Sequence, residues 1–432
     1  MQAVIGYAAL LALAWACSED RRAIRWRTVG AGLALQAAVA VLLIAFTPAQ
    51  RAILLLNGAA EALQSATDAG TAFLFGYLGG GALPFPELRP GSSVILAFKI
   101  LPLVLVISAL SFLLFHWGVL QRLVALFAAA LRRAMGLDGP VALAAAVHVF
   151  VGMIEAPLLI RPYLAAMSRG ELFAVMSCGM AGVAGTVMVI YATVLAPVLP
   201  GALGTILVAS VISTPAALAV AALAVAALMV PFGPNAGGPN AGGPSAGGLG
   251  GTGAPTALPA ALAHNRPLGA LDAIVRGTAD GVGPLVGITT TLLVAVALVS
   301  LVNQALGLAP GGWTLQSLFA LPFQPVMWLI GIPWHEAPAA ALLMGTKTVL
   351  NEFVAYLGLA ALPPDALAPR SRLILTYAMC GFANFGSLGI LVGGLGALIP
   401  ERRAEVVALG LRSVLSGTLA TCMSGAVAGL LS

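Results

Sequence analysis

The fold is decided by two glycine-rich stretches, CGMAGVAG at residues 178–185 and CGFANFGS at residues 380–387. They lie 202 residues apart, and each interrupts a long apolar segment, 171–196 in one case and 371–396 in the other. Glycine costs a helix about 1 kcal/mol per residue relative to alanine, so we expect both helices to be broken there. The pattern predicts a chain built from two related halves.

A single carboxylate precedes each of these stretches, in a shorter apolar segment flanked by glycine or proline. The carboxylates are Glu155, in the segment 140–166, and Glu352, in the segment 333–361. Such interrupted segments are typical of re-entrant hairpins, which leave the membrane on the side where they entered. Three full crossings are predicted between the hairpins, and an odd number inverts the second half. Inverted repeats are typical of secondary transporters.

The composition excludes a water-soluble protein. Of 432 residues, 60% are hydrophobic and 8% are charged, and the mean hydropathy is +1.03. A soluble domain has roughly 25% charged residues, so a cytosolic enzyme, a secreted domain and a disordered regulator are excluded. We predict an all-α polytopic membrane protein with eight transmembrane helices, two re-entrant hairpins in inverted repeats, and interfacial helices. The predicted spans are 2–17, 28–46, 94–115, 171–196, 202–231, 281–306, 371–396 and 404–431.

The basic residues set the orientation of the chain in the membrane. The formal net charge is +5, and 18 of the 20 basic residues are arginines in short loops. A cluster of four arginines within residues 21–27 places the first loop in the cytoplasm and the N-terminus outside. The expected partner is therefore the lipid bilayer of a cytoplasmic membrane, and no nucleic acid.

No cofactor or metal site is expected. The four cysteines are far apart and form no CxxC or Cys/His cluster. His335-Glu336 begins like the HExxH motif of zinc proteases, but residue 339 is alanine and the second histidine is missing. An intramembrane enzyme with Glu155 and Glu352 as an acid/base pair remains as an alternative, as does a passive channel.

The carboxylates within the apolar segments need a partner or a function, because a charge at membrane depth costs a few kcal/mol. We expect Glu155 either to contact the substrate or the coupling ion, or to form a structural ion pair with Arg161. The same alternatives apply to Glu352, for which Lys347 is the candidate ion-pair partner. The other expectation for Lys347 is that it snorkels to the membrane surface or caps the hairpin.

Three other polar residues allow two interpretations each. His148, seven residues before Glu155, either packs through a hydrogen bond or carries a proton. Asn384 and Ser387 lie on one face of the second broken helix. They either bind a ligand or satisfy the unwound backbone.

Several blocks of sequence resemble the concentrative nucleoside transporter family. They are Gly152–Pro157 with Arg161-Pro162, and then 171–176, 333–337, 351–356, 380–384 and 394–403. The resemblance covers nearly the whole chain except the Gly-rich segment. It implies a homotrimer in which a transport domain moves against a central scaffold by an elevator motion. It also implies nucleoside import driven by sodium or protons.

With that resemblance, the chain divides into scaffold and transport units. Residues 232–266, with their GPNAG repeats, are predicted to be a flexible Gly/Pro-rich cytoplasmic linker. The other predicted units are scaffold helices at 1–115 together with 281–306, a first transport repeat at 116–231 with its hairpin at 140–166, an amphipathic segment and scaffold helix at 267–306, and a second transport repeat at 315–431 with its hairpin at 333–361.

The resemblance also implies the substrate site. Glu352, Asn384 and Ser387 align with the residues that hold the ribose hydroxyls, and Phe382 aligns with a ring that lines the pocket. Family members carry Gln and Thr or Ser before the first-hairpin Glu, whereas this chain has Met153 and Ile154 before Glu155. The complete set of predicted substrate-binding residues is Glu352, Asn384, Ser387, Phe382, Glu155, Met153, Ile154 and Val187.

The coupling cation is H+ or Na+, and the residues favour the proton. Sodium-coupled relatives use an Asn side chain and a Ser side chain where this chain has His148 and Gly182. A hard cation needs several oxygen ligands, and two side-chain oxygens are absent here. The coupling-ion candidates are His148, Glu155, Val151, Gly182 and Val183. A sodium symporter, and a transporter of the same fold for another nucleoside-like solute, remain as alternatives.

Overall fold

The structure is a computed structural model that describes residues 2–86, 95–137, 139–153, 155–225, 267–308 and 310–432. Every regular element within these ranges is a helix. The predicted linker at 232–266 lies outside the described residues, and so does Ile154.

In the described residues, six α-helices and a 3-10 helix (Gly76–Gly79) precede the first hairpin. The α-helices are α1 (Gln2–Ala16), α2 (Trp26–Ala40, continued by a π-helical turn at Val41–Ala45), α3 (Thr47–Phe75), α4 (Leu96–Lys99), α5 (Leu103–His116) and α6 (Val119–Met135). Helix α3 was not among the predicted spans, because charged residues such as Arg51, Glu61 and Asp68 lower its apolar character.

The first repeat follows as a hairpin, a broken helix and a long helix. Its elements are α7 (Gly139–His148), α8 (Glu155–Leu159), α9 (Arg161–Leu164), α10 (Arg169–Ala181), α11 (Gly185–Leu195) and α12 (Ala202–Ala224). The segment predicted as a span at 171–196 therefore consists of α10 and α11. Ser168 and Glu171 form a capping box that begins α10. At the break, the Gly185 N–H donates to the Phe150 carbonyl of the hairpin turn at 3.1 Å.

The second repeat has the same order of elements after a long connecting helix. The elements are α13 (Ala270–Leu306), α14 (Leu315–Leu329), α15 (Ala337–Val349), α16 (Glu352–Ala361), α17 (Pro369–Met379), α18 (Phe385–Leu398) and α19 (Arg403–Leu431). Helices α15 and α16 form the second hairpin, and α17 and α18 are the two parts of the second broken helix. The amphipathic segment and scaffold helix predicted at 267–306 form one continuous 37-residue helix.

Five helical segments in the described part of the chain are long and apolar enough to cross a membrane. They are Trp26–Ala45, Leu96–His116, Ala202–Ala224, Ala270–Leu306 and Pro400–Leu431. Helix α1 and the parts of the broken helices are shorter than a full span. The helical fold with two related repeats is as predicted, while the count of eight spans stays a prediction.

The two repeats cross at their breaks. The Phe382 N–H donates to the carbonyl oxygen of Gly182 at 3.2 Å, so the unwound backbone of one repeat satisfies that of the other. Helix α10 packs against α19, where a Cβ atom on Gly417 would lie 2.5 Å from Cβ of Met180. Small residues allow this close approach, as is common between helices in membranes.

Hydrogen bonds between buried and half-buried polar side chains connect α1 and α2 to the repeats. The Tyr7 hydroxyl donates to Gln36 at 2.7 Å, Gln36 donates to Ser424 at 3.2 Å, and Ser424 lies 2.8 Å from the Ser213 hydroxyl. These contacts join α1, α2, α12 and α19. The division into scaffold and transport units stays a prediction.

The connection after α1 carries a second link between distant segments. Glu19 forms salt bridges with Arg169, at the start of α10, and with Arg412, on α19. The hydrogen bond from Arg169 is the main cause that lowers the pKa of the Glu19 carboxyl below its ordinary value. Glu19 therefore stays ionised at neutral pH and connects the N-terminal part to both repeats.

Candidate functional site

Glu352 is placed at the start of α16 by the local sequence. Asn351 is the N-cap residue, and its side-chain oxygen accepts a hydrogen bond from the Val354 N–H at 2.9 Å. The carboxylate that follows lies in the first turn of the helix, where the helix dipole stabilises negative charge. Glu352 is 3% exposed, so its charge must be stabilised by neighbouring groups in the protein.

The second broken helix brings Asn384 and Ser387 to this carboxylate. Asn384 is the N-cap residue of α18, and its side-chain oxygen accepts a hydrogen bond from the Ser387 N–H at 2.7 Å. Its amide nitrogen donates to Oε2 of Glu352 at 2.8 Å. One side chain therefore both begins the helix after the break and binds the carboxylate. Ser387 is also buried, in the first turn of the same helix.

Tyr191 completes the network from the other repeat. Its hydroxyl donates to Oε1 of Glu352 at 2.6 Å. Its ring stacks on Phe353, with centroids 5.9 Å apart, and packs against Tyr356 at 5.2 Å. Reasoning from the sequence missed Tyr191, although a phenol in the otherwise apolar helix α11 is a signal, because a buried hydroxyl needs a partner.

The side chains of two other predicted pocket residues pack beside the network, and the Phe382 carbonyl accepts a hydrogen bond from the Asn384 N–H at 2.8 Å. Phe382 is half-buried and packs against two clusters of buried apolar side chains, each of which has members from both repeats. Val187, in the first turn of α11, is buried in the same apolar cluster as Tyr191.

The first hairpin does not join the Glu352 network in the described contacts. Glu155, the first residue of α8, is exposed, and it forms no salt bridge with Arg161 in the described part of the chain. Met153 is buried, with its Cβ 3.5 Å from where a Cβ atom of Gly179 would stand. The structural interpretation of Glu155 as the partner of Arg161 is therefore wrong.

The coupling-ion candidates form a separate group around the first break. His148, the last residue of α7, is 3% exposed. Its ring bonds to the Val175 backbone, and its Nε2 atom has no hydrogen-bond partner among the described residues. A Cβ atom on Gly182 would lie 3.4 Å from the His148 carbonyl oxygen and 3.5 Å from both the Cys178 carbonyl oxygen and the Ser210 hydroxyl. The Ser210 hydroxyl also accepts a hydrogen bond from the Val183 N–H at 3.3 Å. Val151 lies in the hairpin turn, where its N–H bonds to Val147 at 2.8 Å.

These arrangements define the class of protein. Two repeats of hairpin, broken helix and long helix meet at their breaks, and a buried carboxylate with amide and hydroxyl partners lies beside the crossing. A carboxylate and an amide together accept from and donate to vicinal hydroxyls. Such a site between repeats of a helical membrane protein is that of a secondary transporter.

Comparison with known proteins gives the family. Residues 5–78 match a family profile described as Na+ dependent nucleoside transporter N-terminus, 97–198 one described as Nucleoside recognition, and 205–429 one described as Na+ dependent nucleoside transporter C-terminus. The nucleoside permease NupC of Helicobacter pylori is 31% identical, over 99% of this chain and 96% of that protein. Sodium/nucleoside cotransporter 1 of Rattus norvegicus is 30% identical, over 99% of this chain and 63% of its own length.

A solved structure agrees with these relatives. CNTnw in an inward-facing substrate-bound state matches with a TM-score of 0.85 and 33% identity, over 100% of this chain and 97% of that one. The chain therefore belongs to the concentrative nucleoside transporter family. It is an integral membrane protein that transports nucleosides and is not an enzyme.

Proposed function

We propose that this chain imports nucleosides across the bacterial inner membrane by symport with a cation, and that the cation is a proton. The observation that carries the substrate proposal is the hydrogen bond between Asn384 and Glu352 at 2.8 Å. It places a carboxylate and an amide side by side, and such a pair can accept from and donate to vicinal hydroxyls. Glu352, Asn384 and Ser387 are the proposed sugar ligands, with Phe382 beside the ring.

The proposal for the proton rests on the first break. In the part of the chain that the structure describes, one imidazole nitrogen of His148 has no hydrogen-bond partner, and Gly182 supplies no side-chain oxygen. An imidazole nitrogen accepts a proton near neutral pH and is a poor ligand for a hard cation. Glu155, at the exposed start of α8, is the proposed site where a proton exchanges with water.

We expect purified protein in liposomes to take up labelled uridine or adenosine when an inward pH gradient is applied without sodium. A sodium gradient at uniform pH should give little uptake, and Glu155→Gln should uncouple uptake from the pH gradient. Uptake that needs sodium and ignores the pH gradient contradicts the proposal of a proton. Channel-like flux would instead appear as current without saturation.

Sodium is the second candidate, and a specific observation favours it. The Ser210 hydroxyl and the carbonyls of His148 and Cys178 surround the position that a side chain at residue 182 would occupy. Three oxygens are thus close together beside Gly182, and oxygens are the ligands of hard cations. If sodium drives uptake, Ser210→Ala should raise the sodium concentration for half-maximal uptake, while Thr205→Ala, near the start of the same helix α12, should leave it unchanged.

The base is expected to be recognised weakly. Met153 is buried against α10 and presents a thioether where relatives present an amide, so a pyrimidine edge loses a hydrogen-bonding partner. An unpaired buried polar group costs about 1–3 kcal/mol. Competition assays should therefore show no strong preference for uridine, and Met153→Gln should tighten pyrimidine binding. A strong preference for uridine in the unmodified protein would contradict this prediction.

An elevator motion in a homotrimer, with the N-terminus outside, belongs to the same proposal. Helix α13 packs along α5 through Gly277 and Gly281, while most of its apolar side chains are exposed. Such a face suits lipid or a second copy of the chain, and it supports the assignment of 281–306 to a central scaffold.

A further inference from the structure

Helix α6 leaves one of its sides uncovered, although that side carries large apolar residues. On the inner side, Val124, Leu131 and Met135 are buried against the rest of the protein. On the outer side, Leu126 is 72% exposed and Leu123 is 47% exposed. The helix has 17 residues, three of them arginines, so a membrane crossing does not explain the exposed leucines.

The three arginines lie on the same outer side of this helix. Arg122 and Arg133 are eleven residues apart, which is three helical turns, so they point in nearly the same direction about 16 Å from each other. Arg132 is exposed beside Arg133. None of the three forms a salt bridge within the described part of the chain, and residues 116–137 contain no Asp or Glu. The helix therefore presents three positive charges that no described residue neutralises.

The C-terminal end of α6 meets a second basic segment. The Cε atom of Met135 lies 2.8 Å from where a Cβ atom on Gly32 would stand, so this end of α6 packs beside the first two turns of α2. Helix α2 begins at Trp26, which is 62% exposed, between the exposed residues Arg25 and Arg27. These arginines belong to the loop that is predicted to face the cytoplasm. The fold thus brings two basic segments, about 100 residues apart in the chain, to one side of the molecule.

A second exposed tryptophan lies at the other end of α6. Trp117 comes just before the helix and is 56% exposed. Gly118 and Gly136 bound the helix with left-handed backbone conformations, φ 76° and φ 66°, which reverse the chain at each end. Tryptophan is enriched where a membrane meets water, and helices with leucines and arginines on the exposed side lie in that interface. Helix α6 has the composition and the exposure of such an interfacial helix.

We propose that the outer side of α6, together with Arg25 and Arg27, binds the headgroups of anionic phospholipids. A guanidinium group forms paired hydrogen bonds with a phosphate group, and the acyl chains below the headgroup cover the exposed leucines. Five arginines on one side of the molecule favour lipids with a net negative charge over zwitterionic lipids such as phosphatidylcholine.

Charge also argues against the other possible occupants of this face. A second copy of the chain in a symmetric contact would bring the same arginines opposite each other. The predicted linker at 232–266 contains no Asp or Glu, so it offers no complementary charge. An anionic lipid provides both the charge and the apolar chain that the face needs.

The bound lipid would lie next to the first hairpin. The buried side of α6 belongs to the same apolar cluster as Val141 and Ala145 of α7, the first arm of that hairpin. A ligand that binds only the folded protein stabilises it by mass action. Phosphatidylglycerol should therefore raise the unfolding temperature of the purified protein more than phosphatidylcholine does at the same concentration.

The direct test is quenching of tryptophan fluorescence by lipids with brominated acyl chains. The full-length protein is placed in phosphatidylcholine vesicles that contain a small, equal fraction of brominated phosphatidylglycerol or brominated phosphatidylcholine. We expect stronger quenching by brominated phosphatidylglycerol. An arginine near an anionic membrane surface contributes about fivefold in affinity, so the preference should fall at least about fivefold in Arg132→Gln/Arg133→Gln.

Matched variants assign the preference to this face. Arg51→Gln removes an exposed arginine at the start of α3, which is predicted to lie on the opposite side, and it should leave the preference unchanged. Trp26→Phe and Trp117→Phe should each remove part of the quenching that is specific to phosphatidylglycerol. Trp334→Phe, at a position as exposed as Trp117, should not. If the glutamine variant does not fold, Arg132→Lys/Arg133→Lys keeps the charge and should retain most of the preference, while Arg122→Gln should lower it.

Three results would overturn the proposal. Equal quenching by the two brominated lipids would show that the arginines are only solvated. An unchanged preference in Arg132→Gln/Arg133→Gln would place the lipid site elsewhere on the protein. If neither Trp26→Phe nor Trp117→Phe alters quenching by either lipid, another copy or another segment of the chain covers this face.

Discussion

Replacing Glu352 with glutamine is expected to abolish saturable nucleoside uptake. The carboxylate accepts hydrogen bonds from Tyr191 at 2.6 Å and from Asn384 at 2.8 Å, and it is buried with both. Glutamine has nearly the same shape but presents one oxygen and one NH2 group, so one of these donors loses its acceptor. The sugar hydroxyls lose a charge-assisted partner at the same time, a contribution of about 1.5–3 kcal/mol. A loss of this size lowers the apparent affinity about tenfold to a hundredfold, so uptake no longer saturates in the concentration range in which the unmodified protein saturates.

The measurement is concentration-dependent uptake into liposomes, with protein amount and thermal stability checked for each variant. Glu401→Gln removes a carboxylate that is exposed at the start of the segment before α19, and it should leave uptake unchanged. Tyr191→Phe keeps the stacked ring and removes only one donor, so its effect should be smaller than that of Glu352→Gln. Unchanged apparent affinity in Glu352→Gln would show that the sugar is bound elsewhere.

Much of this site could be predicted because local sequence determines it. The glycines at each break and the Asn residues that precede α16 and α18 are short-range signals, and they place Glu352 and Asn384 at helix starts. The repetition of this pattern then predicted that the two halves are related. Their meeting at the breaks, however, depends on the hydrogen bond between Gly182 and Phe382, which are far apart in the chain.

Contacts between elements that are far apart in the chain could not be predicted from the sequence. Tyr191 and Glu352 are separated by 161 residues, and no periodicity relates them. The same is true of Lys347, whose hydrogen-bond partners, the Ala378 carbonyl and the Thr421 hydroxyl, lie 31 and 74 residues further along the chain. Snorkelling was a reasonable interpretation for a lysine in an apolar segment, but it ignores the free carbonyl that a broken helix creates elsewhere.

Glu155 shows that a similar local sequence does not guarantee a similar environment in the fold. Its surroundings in the chain match those of Glu352, which predicted equivalent roles. In the structure Glu352 is buried among donors, whereas Glu155 is exposed beside Gly152. Equivalent motifs in the two repeats therefore occupy different surroundings, because the hairpins pack against different neighbours.

Gly381→Ala should destabilise the protein and weaken nucleoside binding, because it acts where the two repeats cross. A Cβ atom at this position would lie 2.8 Å from Cγ2 of Thr421 and 2.9 Å from the carbonyl oxygens of Met180 and Ala181. These distances are too short, and two of the three neighbours are backbone atoms that cannot rotate away. Forcing a methyl group into a packed core costs about 1–3 kcal/mol.

The same substitution at Gly389 is the matched control, since a Cβ atom there meets no atom of the described residues within 4 Å and the residue lies inside helix α18. Alanine is the better helix former by up to about 1 kcal/mol, so Gly389→Ala should unfold at the same temperature or slightly higher. Thermal unfolding and nucleoside binding of the two variants provide the comparison. Because Phe382 and Asn384 follow Gly381 closely, a displaced crossing moves both pocket residues, and affinity should fall together with the unfolding temperature. If Gly381→Ala matched Gly389→Ala in both measurements, the close crossing of the two breaks would not be what holds the sugar site in place.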